Sequence, residues 1–512
     1  MTLLGSLIKS AYTIWNGPVE LKQKYILPEK AQEKQLLRLL RKAKHTAFGE
    51  HYHFSKILAS KNILEAFKTN VPVHDYSSMY KHWWYRSLNG ETYVTWPGKV
   101  KYFALSSGTS EASSKYIPVT DDMLRSIKRA SIRQLVRMVQ YDFPLDFYEK
   151  GMLMIGGSTH LQYNGTYYEG DLSGITAAGI PFWFQHFYKP GKKISKTTDW
   201  NTKLEEIIEK APDWDIGVVV GVPAWVQILL EKIIERYNLK TIHDIWPNLG
   251  VYVHSGVAIH PYLKSFEKLF GKEIIFNESY LASEGFIALQ KRKNIAGMDL
   301  QVDNGIFYEF VPFNDENFDE DGNLKKNPQV YSFCEALENK EYALLLSTNA
   351  GAWRYLIGDT VKILNKKHGE IIITGRTKHF LSICGEHLSL ENMSRAIELL
   401  QADLSIEINE FTVYAFRYQG RFAHQWFIGT DQKINNEEAA NLLDKHLKNL
   451  NDDYRVERLE AITQVFAKAV SPKIFLAYME MKGKMGSANK FPRVLKNGRI
   501  EEWENFLKTQ NY

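Results

Sequence analysis

Through the first seventy positions apolar and charged residues alternate at helical spacing, as in KAQEKQLLRLLRKAKHTAFGEHYHF, and this predicts helix across residues 1–70. From about residue 100 the pattern changes to short apolar runs separated by amphipathic stretches. Residues 103–105, 152–155 and IGVVVGV at 216–222 read as buried strands, and PAWVQILLEKIIERY after the last reads as a helix. That alternation predicts α/β layering. Between about 300 and 375 the chain turns β-rich. GIFYEFVPF, EYALLLST, DTVKILN and EIIITG are predicted strands, with turns at Asn349-Ala350-Gly351 and Lys367-His368-Gly369. Beyond that, helical stretches at 390–400 and 436–450 bracket a hairpin-like pair, FTVYAFR and HQWFIGT, joined by Tyr418-Gln419-Gly420-Arg421. The pattern predicts a large α/β domain over 1–375 and a smaller α+β domain over 376–512, with no internal repeat.

Composition narrows the partners. A chain of 512 residues with 44% hydrophobic and 24% charged residues fits a soluble globular protein of more than one domain. Its net charge of +5 admits an anionic ligand such as a nucleotide but is not the basic stripe of a nucleic-acid binder. Two cysteines, Cys334 and Cys384, make neither a disulfide framework nor a zinc site. The N-terminus has no basic start ahead of its apolar residues, and no apolar run reaches about 18 residues. A cytoplasmic protein without a membrane or nucleic-acid partner is expected, and a monomer.

Candidate chemistry begins with ALSSGTSEASSKYIPVT, residues 104–120. A Walker loop needs Gly-Lys-Ser/Thr five residues after its first glycine and then a helix. Here Lys115 runs into Tyr-Ile-Pro. A Rossmann fingerprint needs three spaced glycines, and the loop has only Gly108. The next helix is expected to start at Thr120, an N-cap followed by Asp121 and Asp122. What remains is a loop of hydroxyl and backbone donors at Ser106, Ser107, Thr109 and Ser110, with Gly108 allowing close approach and Lys115 supplying charge. A solvated serine-rich surface loop would have the same composition.

Two further stretches bear on that choice. NESYLASEGFIAL, residues 277–289, follows an apolar strand at 273–276 and is expected to hold Tyr280, Ser283 and Glu284 in a tight turn, where a carboxylate can face Mg²⁺. AWRYLIGDTVKI, residues 352–363, sets Gly358 before Asp359, so that a turn would present Asp359 at the start of a strand. A carboxylate there suits a pair of ribose hydroxyls.

SSGTS with Lys115, YLASEG at 280–285, WRYLIGD at 353–359 and the tail KFPR at 490–493, in this order, resemble the adenylate-forming enzymes. The chain is most similar to the Gretchen Hagen family of acyl-acid amido synthetases, an auxin-responsive family known from plant hormone conjugation and also found in bacteria. The resemblance implies a large N-terminal domain of mixed α/β sheets plus a β-barrel, and a mobile C-terminal domain hinged at 376–379. It implies ATP and Mg²⁺ as cofactors, and a small carboxylic acid and an amino acid as substrates. Ser106, Ser107, Gly108 and Thr109 would contact phosphates with Lys115; Glu284 would help to hold Mg²⁺; Tyr280 and Ser283 would lie near the nucleotide. Asp359 would bind ribose, Arg376 would lie beside it, and Lys490 would be the catalytic lysine that swings in. The chain departs from the pattern at Glu111-Ala112, where many such loops carry another glycine. An acyl-CoA ligase and a nucleotide-binding pseudoenzyme are the alternatives. His254, Met123, Ile127 and the 221–225 turn are candidates for the acyl pocket.

Overall fold

The computed structural model describes Ser10 and residues 27–106, 115–180, 184–256, 259, 262–292, 295–319, 322–378, 380–408, 410–482, 491–496, 498–510 and 512. Within them the chain forms two compact units, and along the sequence the first gives way to the second between Thr377 and Lys378.

The larger unit opens with helices at Pro28–Ala43, Ala47–His51, Phe54–Ala59 and Ile63–Asn70. The first starts on a proline, whose missing amide costs a helix nothing in its first turn. It buries Leu36, Leu39, Leu40 and Ala43 in the main core. Gln32 lies on the same buried face. Its amide donates to the carbonyls of Val302 (2.8 Å) and Ile306 (3.0 Å), and its oxygen accepts from the Tyr308 amide at 2.7 Å. A fully paired side-chain amide thus pins the helix to the sheet.

That sheet has twelve strands. One half is parallel, in the order Tyr188–Lys189, Gly151–Met154, Ile216–Gly221, Val251–His254, Ile275–Ala282. A hairpin then turns Ile275–Ala282 into Gly285–Leu289, and the sheet continues antiparallel. Met298–Leu300 comes next, then Glu370–Arg376, Tyr355–Asn365, Glu341–Thr348, Ile306–Pro312 and Tyr331–Ser332. The predicted α/β character holds, but the separate β-barrel does not: among the described residues the strands of the 300–375 region do not close on themselves. Met298–Leu300 pairs on one side with Gly285–Leu289 and on the other with Glu370–Arg376. The edge that would close a barrel is therefore already used to extend the parallel half. A second, four-stranded sheet pairs Lys115–Val119, Tyr102–Ser106, Tyr168–Gly170 and Gln162–Tyr163.

The smaller unit is built on the hairpin Glu410–Tyr418 and Arg421–Gly429, with Ile462–Val470 parallel to its second strand. Gln419 and Gly420 both have positive φ, 47° and 80°, which matches the twist a two-residue hairpin turn requires. Phe475, Tyr478, Phe491 and Trp503 form its aromatic core. Near its start Glu386 is fully buried, and its carboxylate accepts the amides of Ile383, Cys384 and Gly385 and faces His424 Nε2 at 3.1 Å. Burial works against the ionised form, but His424 and backbone amides, that of Cys384 among them, hold the carboxyl at about 2.

The WRYLIGD stretch anchors the larger unit. Trp353 is buried and donates to the Thr95 carbonyl at 3.1 Å. Arg354 takes a left-handed φ of 42° and turns inward. It meets Glu309 at 3.0 Å and donates to the carbonyls of Lys68 (2.8 Å) and Val71 (2.6 Å). His74 Nδ1 donates to the Trp353 carbonyl at 3.0 Å, and its backbone pairs with Arg354 and Leu356. Gly351 is obligatory: its φ is +84°, and a β-carbon there would lie 2.2 Å from Thr95 Oγ1.

Both buried groups give measurable consequences. Glu309→Ala leaves the Arg354 charge buried without its carboxylate, and urea unfolding is expected to show a loss of about 3–5 kcal/mol. Burial, opposed by the bond to Trp353, lowers the His74 imidazole to about 4, so the native state holds it neutral while the unfolded chain protonates it near 6.5. Stability from this group is complete above pH 6.5 and falls as pH drops towards 4, by up to about 3 kcal/mol. Urea midpoints between pH 7 and 4.5 should show this slope in the wild type and a shallower one in His74→Gln.

Candidate functional site

The serine-rich stretch falls between the two strands of an antiparallel pair. Tyr102–Ser106 and Lys115–Val119 run side by side with Ser106 opposite Lys115. Ser107, Gly108, Thr109 and Glu111 lie outside the described residues, as does Lys490. Thr120 caps the following helix, Asp121–Arg137, accepting from the Met123 amide at 3.1 Å, with Asp121 and Asp122 in its first turn. The extended backbone at Lys115 agrees with the proline three residues on, which a helix would not accept.

Glu284 stands where the large sheet changes character. Ser283 and Glu284 form the two-residue tip between Ile275–Ala282 and Gly285–Leu289, at the carboxyl end of the last parallel strand. Crevices at the carboxyl ends of parallel strands are where open α/β sheets bind ligands. Tyr280 is not in that turn, contrary to the sequence expectation. It lies within the strand, which runs on to Ala282, and faces the core at 6% exposure.

Asp359 also differs from expectation. It lies within the strand Tyr355–Asn365, not at a strand start. Between the pairs Leu345↔Leu356 and Ala343↔Thr360, three residues of this strand oppose a single residue of the next. Ile357, Gly358 and Asp359 form this bulge, and Gly358 has φ +93°, open to glycine alone without strain. The bulge sets Asp359 directly across from Arg376, the last residue of Glu370–Arg376.

Around Asp359 the side chains close a small network. Tyr280 Oη donates to one carboxylate oxygen, and Arg376 Nε lies 3.0 Å from the other. Arg376 also reaches the Ile357 carbonyl at 3.5 Å. Tyr355 is buried beside them, and its hydroxyl is raised well above its usual range by burial first and by the Glu284 charge second. Burial pushes the Glu284 carboxyl up to about 7; Lys115 and Arg376 pull it down, and Asp359 adds repulsion. Tyr280 is likewise raised well above its usual range by burial first and Asp359 second.

Lys115, Asp359 and Arg376, distant in the sequence from Glu284, are thus brought within electrostatic reach of it, and Asp359, Arg376 and Glu284 within reach of Tyr280. Ser283 shares the hairpin tip with Glu284. Met123 and Ile127 are buried in the main core. His254 ends a parallel strand and is buried, and Trp225 packs edge-on against Trp200 at 4.7 Å. Sequence reasoning missed Tyr355, although it stands inside the WRYLIGD stretch. It also missed Tyr76, whose ring lies 5.3 Å from the Lys115 ammonium. A lone tyrosine in a short polar stretch carries no periodic signal.

Comparison with known proteins meets this geometry. The chain matches the GH3 family N-terminal domain over residues 20–205, the GH3 family central domain over 300–371 and the GH3 family C-terminal domain over 391–499. This chain belongs to the GH3 family. Curated relatives include the indole-3-acetic acid-amido synthetase GH3.2 of Arabidopsis thaliana, 25% identical over 238 residues, 43% of this chain and 42% of that protein. The jasmonoyl–L-amino acid synthetase JAR6 of Nicotiana attenuata is 20% identical over 455 residues, 74% of this chain and 76% of that protein. The alignment therefore spans less than half of the Arabidopsis relative. Among solved structures, GH3.15 acyl acid amido synthetase superposes with a TM-score of 0.58 at 15% identity, covering 98% of this GH3 chain and 96% of that one. A 2-hydroxyisobutyryl-CoA ligase also gives 0.58, at 12% identity over 95% and 93%. The GH3 chain thus has the adenylate-forming fold. Among its described residues no helix is long and apolar enough to cross a membrane.

Proposed function

We propose that this GH3 protein is an ATP-dependent acyl-acid amido synthetase. It joins a carboxylic acid to ATP as an acyl-adenylate, releasing pyrophosphate, and then passes the acyl group to the amine of an amino acid. The observation that carries this reading is the meeting of Glu284, Asp359, Arg376 and Lys115 at the carboxyl edge of the sheet. The names of the plant relatives supply the acceptor, an amino acid.

Attack of a carboxylate on a phosphorus that already bears negative oxygens brings anion against anion, so the protein's task is alignment and charge neutralisation. Asp359 keeps acceptor sites beyond those used by Tyr280 and Arg376, enough for a pair of ribose hydroxyls. Ser106, Ser107, Gly108 and Thr109 offer donors to phosphates, Lys115 offers charge, and Lys490 brings a second cation from the smaller domain. Tyr280 acts beside the nucleotide through Asp359, and Ser283 lies at the tip with Glu284. Among the described residues no three His, Cys, Asp or Glu side chains gather as a metal cage. The buried carboxylate of Glu284, at the carboxyl end of the last parallel strand, fits an Mg²⁺ that takes most of its oxygens from a triphosphate and water. Bound there, the ion would neutralise phosphate charge.

Residues 376–379 serve as the hinge for the 380–512 domain between the two steps, and protease protection that changes with AMP tests this. Two free cysteines, one exposed and one buried, suit a reducing cytoplasm, and the chain works as a monomer.

A panel of carboxylic acids assayed for acid-dependent pyrophosphate release should find at least one substrate. Product analysis with amino acids and with CoA then separates amide from thioester formation. ATP binding without pyrophosphate release for any acid would overturn the enzyme reading. Asp359→Ala is expected to raise KM for ATP about 10- to 100-fold, the loss of charged hydrogen bonds. Lys490→Ala should lower the adenylation rate about 10²- to 10³-fold, with ATP binding nearly unchanged.

A further inference from the structure

We propose that Tyr76 is a positioning residue of the nucleotide site, fixing where the Lys115 ammonium lies. The inference deepens the reading above, since it rests on Lys115 meeting the phosphates.

Tyr76 begins the short helix Tyr76–Met79, which Asp75 and Ser78 close with a reciprocal capping box. Its backbone is held from the other side. The His74 amide donates to the Arg354 carbonyl at 2.9 Å, and the Leu356 amide donates to the His74 carbonyl at 2.8 Å. The residue is therefore tied to the strand that carries Tyr355 and Asp359.

The side chain reaches the other part of the site. Among the described residues Lys115–Val119 is an edge strand, and the amide of Tyr116 meets no further strand on its outer side. Tyr76 Oη accepts that amide at 2.9 Å, a side-chain substitute for the missing strand. One residue earlier, the Lys115 ammonium lies 5.3 Å from the Tyr76 ring centre, within cation–π range. A lysine has several rotatable bonds, and an aromatic face on one side with the Glu284 carboxylate attracting from another restricts where its charge rests.

Tyr76 is itself buttressed. It stacks on Tyr80 at 5.6 Å and packs against Trp84 at 6.0 Å; Trp84 lies 5.4 Å from Tyr355, whose hydroxyl feels the Glu284 charge. Tyr80–Trp84 is a π-helical turn, a local widening that recurs at functional sites. A continuous path of rings thus joins the neighbour of Glu284 to the partner of Lys115.

The test is a double-mutant cycle read by calorimetric titration of Mg·ATP into the full chain, with no acid present. Tyr76→Leu is expected to weaken Kd about tenfold. Tyr76→Phe, which keeps the ring, should recover most of the loss. In the Lys115→Met background Tyr76→Leu should add less than about twofold, because the charge it positions is gone. In pyrophosphate release, Tyr76→Leu should raise KM for ATP while kcat stays within about twofold. If the leucine variant fails to fold, Tyr76→Met, which fills the volume without a ring, replaces it in the cycle. ATP affinity unchanged by loss of the ring, or a full effect that persists without Lys115, overturns the inference alone. A wild-type chain that binds no Mg·ATP overturns the nucleotide reading together with it.

Discussion

Both oxygens of Asp359 are engaged before any ligand arrives, one by the Tyr280 hydroxyl and the other by Arg376. This arrangement makes the rest of the site affordable. Glu284 is buried nearby and repelled by Asp359, and two carboxylates at close range in a poorly solvated place would ordinarily force one of them to take a proton. Arg376 opposes that from the end of one strand and Lys115 from the start of another. The unliganded site thus sets these two basic groups against Asp359 and against a Glu284 carboxyl that burial has raised to about 7. A triphosphate entering it brings several negative charges that these four residues do not neutralise alone. In the proposed reaction that leaves a defined part for a divalent ion and for Lys490.

The geometry behind this balance comes from sheet architecture. The hairpin that ends at Ser283-Glu284 changes the sheet from parallel to antiparallel, so Glu284 sits at a carboxyl edge that only the parallel half provides. The bulge at 357–359 belongs to the antiparallel half and turns Asp359 towards Arg376. Neither half alone would hold the network. Met298–Leu300, three residues long, joins them.

Much of this was legible in the sequence, and the reasons are local. The helix Pro28–Ala43 announces itself because burial of one face repeats with a fixed period, the strands Ile216–Gly221 and Glu341–Thr348 because each is a short continuous apolar run, and the hairpin about Gln419-Gly420 because turn residues separate two apolar stretches. Met298–Leu300 is too short to show a period, and its two-sided pairing was invisible; so, for the same reason, was the continuous sheet that stands where a barrel was expected. Gln32 breaks the apolar face of its helix because it bonds three backbone groups far away in the chain, a debt that no spacing rule records. Motif order singled out Glu284, Asp359 and Arg376, which the structure brings together. The motif did not reveal that most of WRYLIGD is scaffolding: Trp353 and Arg354 are buried in the core and in an ion pair, and Tyr355 is buried within reach of the Glu284 charge.

One feature of the smaller unit bears on how a chain can cross from one body to another. Glu386 gathers the amides of the three residues just ahead of it onto its own carboxylate and closes the cluster with His424. Loops beside a crossing point commonly depend on outside acceptors or on water. Here the amide donors of Ile383, Cys384 and Gly385 are all met from within, so none of the three needs an acceptor from another body.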